Sequence, residues 1–322
     1  MPSSDLTELR QFVAASVSPE AASILRMIGA ILATMPPQVP PASPGEFDAA
    51  AKRAAAWAEQ ISENPLAKLA TTLTPWDADG VPVLSVTPRD RDPGAAALVY
   101  VHGGGFASGS AHSTRLTAAL AASTSRRIVH SIDYTLAPHA DHRRILDEVA
   151  TAWSAIVARE DRLPGMLGDS AGGCIAVAAI LLLRDRGIAL PRALVLLSPV
   201  VDLGGQGDTN RTLASVDYLD RAVLEPALRA YADPSEWHEP LASPIYGDFE
   251  EGFPPTLIQA GTRELLLSDS VRLHRALRAA GRSSRLELFE GMPHVFQSLL
   301  AETPEGIAAW ADMTAFWQEM LA

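Results

Sequence analysis

Ser170 stands in the run Gly168-Asp169-Ser170-Ala171-Gly172, with Gly173 following. A serine hydroxyl is a weak nucleophile until a base sits beside it and a turn exposes it. Glycines two residues to either side permit the sharp strand-to-helix turn that gives such exposure. Residues 174–183 are apolar and read as a helix. The N–H of Ala171 is then expected at a helix N-terminus, aimed at a developing oxyanion. A second run, His102-Gly103-Gly104-Gly105-Phe106, follows an apolar stretch at 95–101. Consecutive glycines let a substrate approach the backbone and leave N–H groups to bind an oxyanion. No Lys-Ser/Thr pair follows them, which argues against a phosphate-binding loop.

A base and an orienting acid must complete the chemistry. His294, in Gly291-Met292-Pro293-His294, follows the last strand candidate. The order Ser, acid, His is the one such a nucleophile turn calls for. Three carboxylates lie between Ser170 and His294 in suitable places. Glu264 sits at the end of the strand read at 256–260, where it can reach an imidazole Nδ1–H. Asp269 falls in the following helix, where its other role is to stabilise a helix N-terminus. Asp202 follows an earlier strand and is more distant. His102 reads as structural support for its own loop. His139 and His142 flank Asp141, a short cluster with no third partner and a weak case for metal. His112, His130, His238 and His274 read as solvated or core histidines.

The elements that would position these residues alternate. Strand-like runs lie at 81–87, 95–101, 127–134, 194–201, 256–260 and 286–289, with helix-like stretches at 113–124, 142–159, 171–186 and 268–280. Apolar strands alternating with helices predict an α/β fold: a mostly parallel sheet with helices on both faces. Residues 1–70 read instead as two helices, about 5–35 and 45–63, separated by the proline-rich 35–41. The stretch 203–254 contains one expected helix at 220–232 and no strand, too long for an ordinary connection. Together with residues 1–70 it reads as a helical cap over a catalytic domain spanning 71–322. Ile24, Leu25, Met27, Ile28, Ile31 and Leu32 recur at helical spacing, either as an acyl-binding wall or as a face packed on the domain. Tyr218 and Leu219 are further pocket candidates.

Hydrophobic residues make up 48% of the 322, enough for a large core without metal or disulfide. The single cysteine, Cys174, fits a reducing compartment, so a cytoplasmic location is expected. A net charge of −12 argues against nucleic acid and for neutral or cationic small molecules. The N-terminal residues lack the pattern of a signal peptide, and the apolar run at 21–35 is too short and too interrupted to span a bilayer. Membrane insertion is not expected. The edge strand at 286–289 could pair with a second copy to form a homodimer.

The chain resembles the hormone-sensitive lipase family of α/β-hydrolases, in its bacterial esterase branch. The resemblance rests on His102 to Gly105, Asp133-Tyr134-Thr135-Leu136-Ala137-Pro138, Gly168 to Gly173, Ser198-Pro199-Val200-Val201-Asp202-Leu203, Ser243-Pro244 and His294. It implies a carboxylic ester hydrolase without a cofactor, acting on small to medium acyl esters. It implies Ser170 as nucleophile, His294 as general base and acid, Glu264 as orienting carboxylate, and oxyanion donors at Gly104, Gly105 and Ala171. It also implies a cap built from the N-terminal helices and the 203–254 insertion. Many relatives carry Asp where this chain has Glu264, and the family's usual Tyr-Arg-Leu-Ala-Pro-Glu run here reads Tyr134 to His139. A lactone hydrolase would use the same residues. A non-catalytic ligand-binding protein on this fold is the alternative of another class; it would be expected to lack the histidine.

Overall fold

The computed structural model describes residues 12–34 and 39–322. Eight strands form one sheet: β1 (Thr71–Ala78), β2 (Val81–Pro88), β3 (Leu98–Val101), β4 (Val129–Ile132), β5 (Gly165–Asp169), β6 (Leu194–Leu197), β7 (Thr256–Gly261) and β8 (Ser284–Phe289). Their spatial order is β1-β2-β4-β3-β5-β6-β7-β8. The β1–β2 and β2–β4 pairs are antiparallel; every other pair is parallel.

The central strands are apolar on both faces because both faces are covered. Val99, Val101, Met166, Leu194 and Leu196 point into one core, shared with helices α4 (His142–Arg159), α5 (Ser170–Asp185) and α8 (Leu267–Ala279). Their neighbours Leu98, Tyr100, Leu167, Val195 and Leu197 point into the other, shared with α3 (Arg115–Ser125) and α10 (Pro304–Met320). Side-chain period two on continuous apolar runs gives this doubly covered sheet.

Two strands lack a readable signal. β1 (TTLTPWDA) is an exposed edge strand with a proline, tolerated there because an edge need not donate on both sides. β5 (GMLGD) is short, begins and nearly ends in glycine, and lies in the middle of the sheet. Its Gly165 has no room for more: an added Cβ would lie 2.7 Å from Trp317.

The N-terminal segment contributes α1 (Pro19–Thr34) and α2 (Pro44–Lys68). Of the expected helix at 5–35, the described part is helical over Pro19–Thr34 and not over 12–18; residues 1–11 and 35–38 lie outside the described residues. Ala21 and Ala22 of α1 pack with Met292, Phe296 and Leu300, close to the turn that carries His294. Met27, Ile31 and Leu32 are exposed, so only part of the apolar face read from the sequence is covered. In α2, Phe47 packs against Ala107 and against Ala227 of α7 (Arg221–Tyr231), the helix of the insertion. The insertion also holds α6 (Thr209–Thr212), and α9 (Phe296–Leu299) follows His294. Among the described residues no helix is long and apolar enough to cross a membrane.

Candidate active site

All the chemistry-bearing residues lie beyond the carboxyl ends of parallel strands. This is where an open α/β sheet offers its crevice. Ser170 follows β5 directly and opens α5. Its φ is +51°, in the left-handed region that a residue with a side chain adopts at a cost. The surroundings enforce that turn. An added Cβ on Gly172 would sit 2.1 Å from the carbonyl oxygen of Val101, so only glycine lets α5 approach β3 this closely. Phe106, Ser198 and Val295 also take positive φ, each just beyond a strand of this crevice. Strain of this kind gathers at functional sites.

His294 links the serine to the acid. The Ser170 hydroxyl lies 2.9 Å from His294 Nε2, and His294 Nδ1 lies 2.9 Å from Glu264 Oε2. Glu264 is fully buried, and its Oε1 accepts from the N–H of Gly261 at 2.9 Å. The carboxylate is thereby fixed in orientation from both ends. Burial pulls the His294 pKa down, but the hydrogen bond and charge of Glu264, with the charges of Asp217 and Asp169, outweigh it and leave it raised. The turn around His294 has two further supports. The Val295 N–H donates to Ser198 Oγ at 3.0 Å, and the Tyr218 hydroxyl donates to the His294 carbonyl.

Asp169 ties the serine turn to the glycine loop. Its Oδ1 accepts from the Tyr100 hydroxyl at 2.6 Å and from the Gly103 N–H at 2.9 Å. The Gly104 carbonyl accepts from the N–H and hydroxyl of Ser108. Gly104 has φ +124°, and a Cβ there would lie 2.1 Å from the Ser108 carbonyl oxygen. His102 acts on its own loop as expected: Nδ1 donates to the Gly103 carbonyl at 2.8 Å, and the ring stacks on Tyr134 at 4.3 Å. Tyr134 in turn donates to the His102 carbonyl at 2.7 Å. Gly103 to Gly105 and Ser170-Ala171 therefore stand side by side beyond the ends of the adjacent strands β3 and β5.

The other candidate acids do different work. Asp269 is buried in α8 and accepts from the N–H groups of Val201 and Asp202 at 2.9 and 3.2 Å. It anchors the loop after β6. Asp202 pairs with Arg272 at 2.6 Å. His139 pairs with exposed Asp48, whereas His142 is buried near Tyr231, so the two rings do not converge. Among the described residues no group of three or more His, Cys, Asp or Glu could hold a metal. Reasoning from sequence missed Asp217 altogether. It lies in a mixed run, Leu213 to Leu219, with no motif around it, and only the folded insertion brings it to the acid's neighbour, Leu265.

Known proteins share this architecture. Residues 98–298 match the family described as the alpha/beta hydrolase fold. The chain belongs to the α/β-hydrolases, in the branch that resembles the hormone-sensitive lipases. An esterase of the bacterial hormone-sensitive lipase family superposes with a TM-score of 0.83 at 29% identity, covering 95% of this chain and 99% of that one. An acetyl-hydrolase of Streptomyces hygroscopicus is 34% identical over 225 residues, 69% of this chain and 74% of the relative. An esterase of Acinetobacter venetianus is 31% identical over 224 residues, 68% and 73% of the two chains.

Proposed function

We propose that the protein is a serine carboxylesterase with Ser170 as nucleophile, His294 as general base and acid, and Glu264 as the orienting carboxylate. The observation that carries this reading is the position of one imidazole, 2.9 Å from the serine hydroxyl on one side and 2.9 Å from a buried carboxylate on the other. Glu264 accepts from Nδ1–H, so the neutral ring presents Nε2 as an acceptor to Ser170. Attack on an ester carbonyl passes the serine proton to Nε2 and leaves an imidazolium that Glu264 stabilises. The N–H groups of Gly104, Gly105 and Ala171 receive the oxyanion; that of Gly103 is already taken by Asp169. The imidazolium then protonates the leaving alcohol. Water, activated by His294, completes the cycle by releasing the acid.

Short acyl groups suit this site. Leu224 of α7 approaches within 3.3 Å of the place where a Cβ on Gly105 would be, so the insertion closes down directly over the glycine loop. Relatives named as acetyl-hydrolases agree with a small acyl group. The cap, on this reading, comprises α2 and the insertion joined through Phe47 and Ala227. A series of p-nitrophenyl esters from acetate to dodecanoate, beside medium-ring lactones, tests this. The highest kcat/KM is expected at two to four carbons, with Leu224→Ala moving the optimum to longer chains and Ser170→Ala inactive on all. A maximum at long chains, or a preference for lactones, would overturn the substrate assignment.

A further inference from the structure

The insertion does more than cover the crevice. It sends two consecutive side chains to the acid and the histidine. Asp217 is 1% exposed. Its Oδ2 accepts at 2.6 Å from the N–H of Leu265, the residue directly after Glu264. Its Oδ1 accepts at 2.9 Å from the N–H of Leu219, closing a turn around Tyr218. Tyr218 donates its hydroxyl to the carbonyl of His294, and its ring stands 6.2 Å from the imidazole at 65°. One dipeptide thus holds the chain at both catalytic partners of Ser170.

Burying a carboxylate costs free energy unless hydrogen bonds and opposite charge offset it. Burial indeed pushes the Asp217 pKa up, and the nearby His294 charge pulls it back. Two backbone N–H groups, of Leu265 and Leu219, already call for the two acceptor oxygens of a carboxylate, where an amide offers one. The charge has a use when His294 becomes imidazolium. The charges that act on that ring are those of Glu264 from the loop after β7, Asp217 from the insertion and Asp169 from the end of β5, and the Tyr218 ring stands against it from the insertion. Arg263 is a further cation, whose charge interacts with that of Glu290 and, after it, with that of Asp217.

We propose that Asp217 and Tyr218 are positioning residues for His294, so that the insertion, and not the sheet and its loops alone, makes the base competent. This rests on Ser170, Glu264 and His294 being the triad. Tyr218 fixes the backbone from which the imidazole projects. Asp217 fixes the chain beside Glu264 and adds a second negative charge behind the acid. Movement of the insertion therefore changes the alignment of the base as well as access to it.

The test uses the full chain and two variants. Tyr218→Phe removes one hydroxyl from a partly exposed ring and leaves the fold in place. It is expected to lower kcat about tenfold, with KM within about twofold, because misplacement of a catalytic group costs rate rather than binding. Asp217→Asn removes the charge and keeps a single acceptor oxygen, so it gives up the bond to either the Leu265 or the Leu219 N–H. It is expected to move the acidic limb of kcat/KM to lower pH, which a merely structural role would not do, and Asp217→Glu is expected to bring the limb back. The proposal is overturned if Tyr218→Phe retains wild-type kcat, or if folded Asp217→Asn, judged by its thermal midpoint, keeps the wild-type limb. Wild-type protein that takes no fluorophosphonate on Ser170 would instead remove the triad assignment itself.

Discussion

Replacing Glu264 by Gln changes one atom and should nearly abolish turnover. The reason lies in what each carboxylate oxygen touches. Oε1 accepts from the Gly261 N–H at 2.9 Å, and Oε2 faces His294 Nδ1 at 2.9 Å. A glutamine has one acceptor and one donor for these two places. Its oxygen must stay on Gly261, since an NH2 group there would face a backbone N–H in a site with no water access. Its NH2 is then turned toward Nδ1. The imidazole responds by placing its proton on Nε2, the tautomer that cannot accept from Ser170. Loss of the correct tautomer in a triad costs about 10⁴ in kcat, or about 5 kcal/mol of barrier. Glu264→Asp keeps both acceptors but shortens the reach, so a smaller loss is expected. The assay is steady-state hydrolysis of p-nitrophenyl acetate, with thermal midpoints to show that the variants fold. A Glu264→Gln enzyme within tenfold of wild type would refute the reasoning.

Three further outcomes follow from the same contacts. His294 must be neutral to act, and its pKa is raised, the Glu264 charge outweighing burial. Activity should therefore appear as pH rises through a value above the ordinary imidazole range of about 6.5, and Glu264→Gln should move the residual limb downward. Burial lifts the Asp269 pKa to about 7. The folded protein then holds a proton there that the unfolded chain releases near 4, so stability from this group is full below about pH 4 and is lost as pH rises to about 7. Asp269→Asn should remove that slope and exceed wild type in urea midpoint at pH 8, with the gap closing toward pH 5. Gly172→Ala forces a methyl to within 2.1 Å of a backbone carbonyl oxygen and should cost about 3 kcal/mol or more in urea unfolding, as well as activity.

The sequence was most informative where chemistry restricts residue choice. Ser170 and the glycines around it, His102 to Gly105, and His294 stand in short runs whose types are dictated by a crowded turn or a backbone donor. The strand-like runs at 81–87, 194–201 and 256–260 were legible because both sheet faces demand apolar residues, although the strand in the second ends at Leu197. β5 was not, although it leads directly into Ser170. Its glycines are there for close packing, and they hide the periodicity that marks a strand. β1 was hidden by exposure and by Pro75. Position in the segment favoured Glu264, at the strand end, over Asp269, in the following helix, although only five residues separate them. Folding separates them: Glu264 meets an imidazole, Asp269 meets the two N–H groups after β6. Asp217 was illegible for the reason that makes it interesting. One of its two partners, Leu265, is 48 residues away in sequence, in the loop after β7.

The central claim is that Ser170 is the nucleophile, and covalent labelling tests it most directly. Native protein treated with a fluorophosphonate and digested for mass spectrometry should carry one adduct, on Ser170, with activity lost in step. Ser170→Ala should take none. An adduct on another serine, or none on folded wild-type protein, would contradict the account.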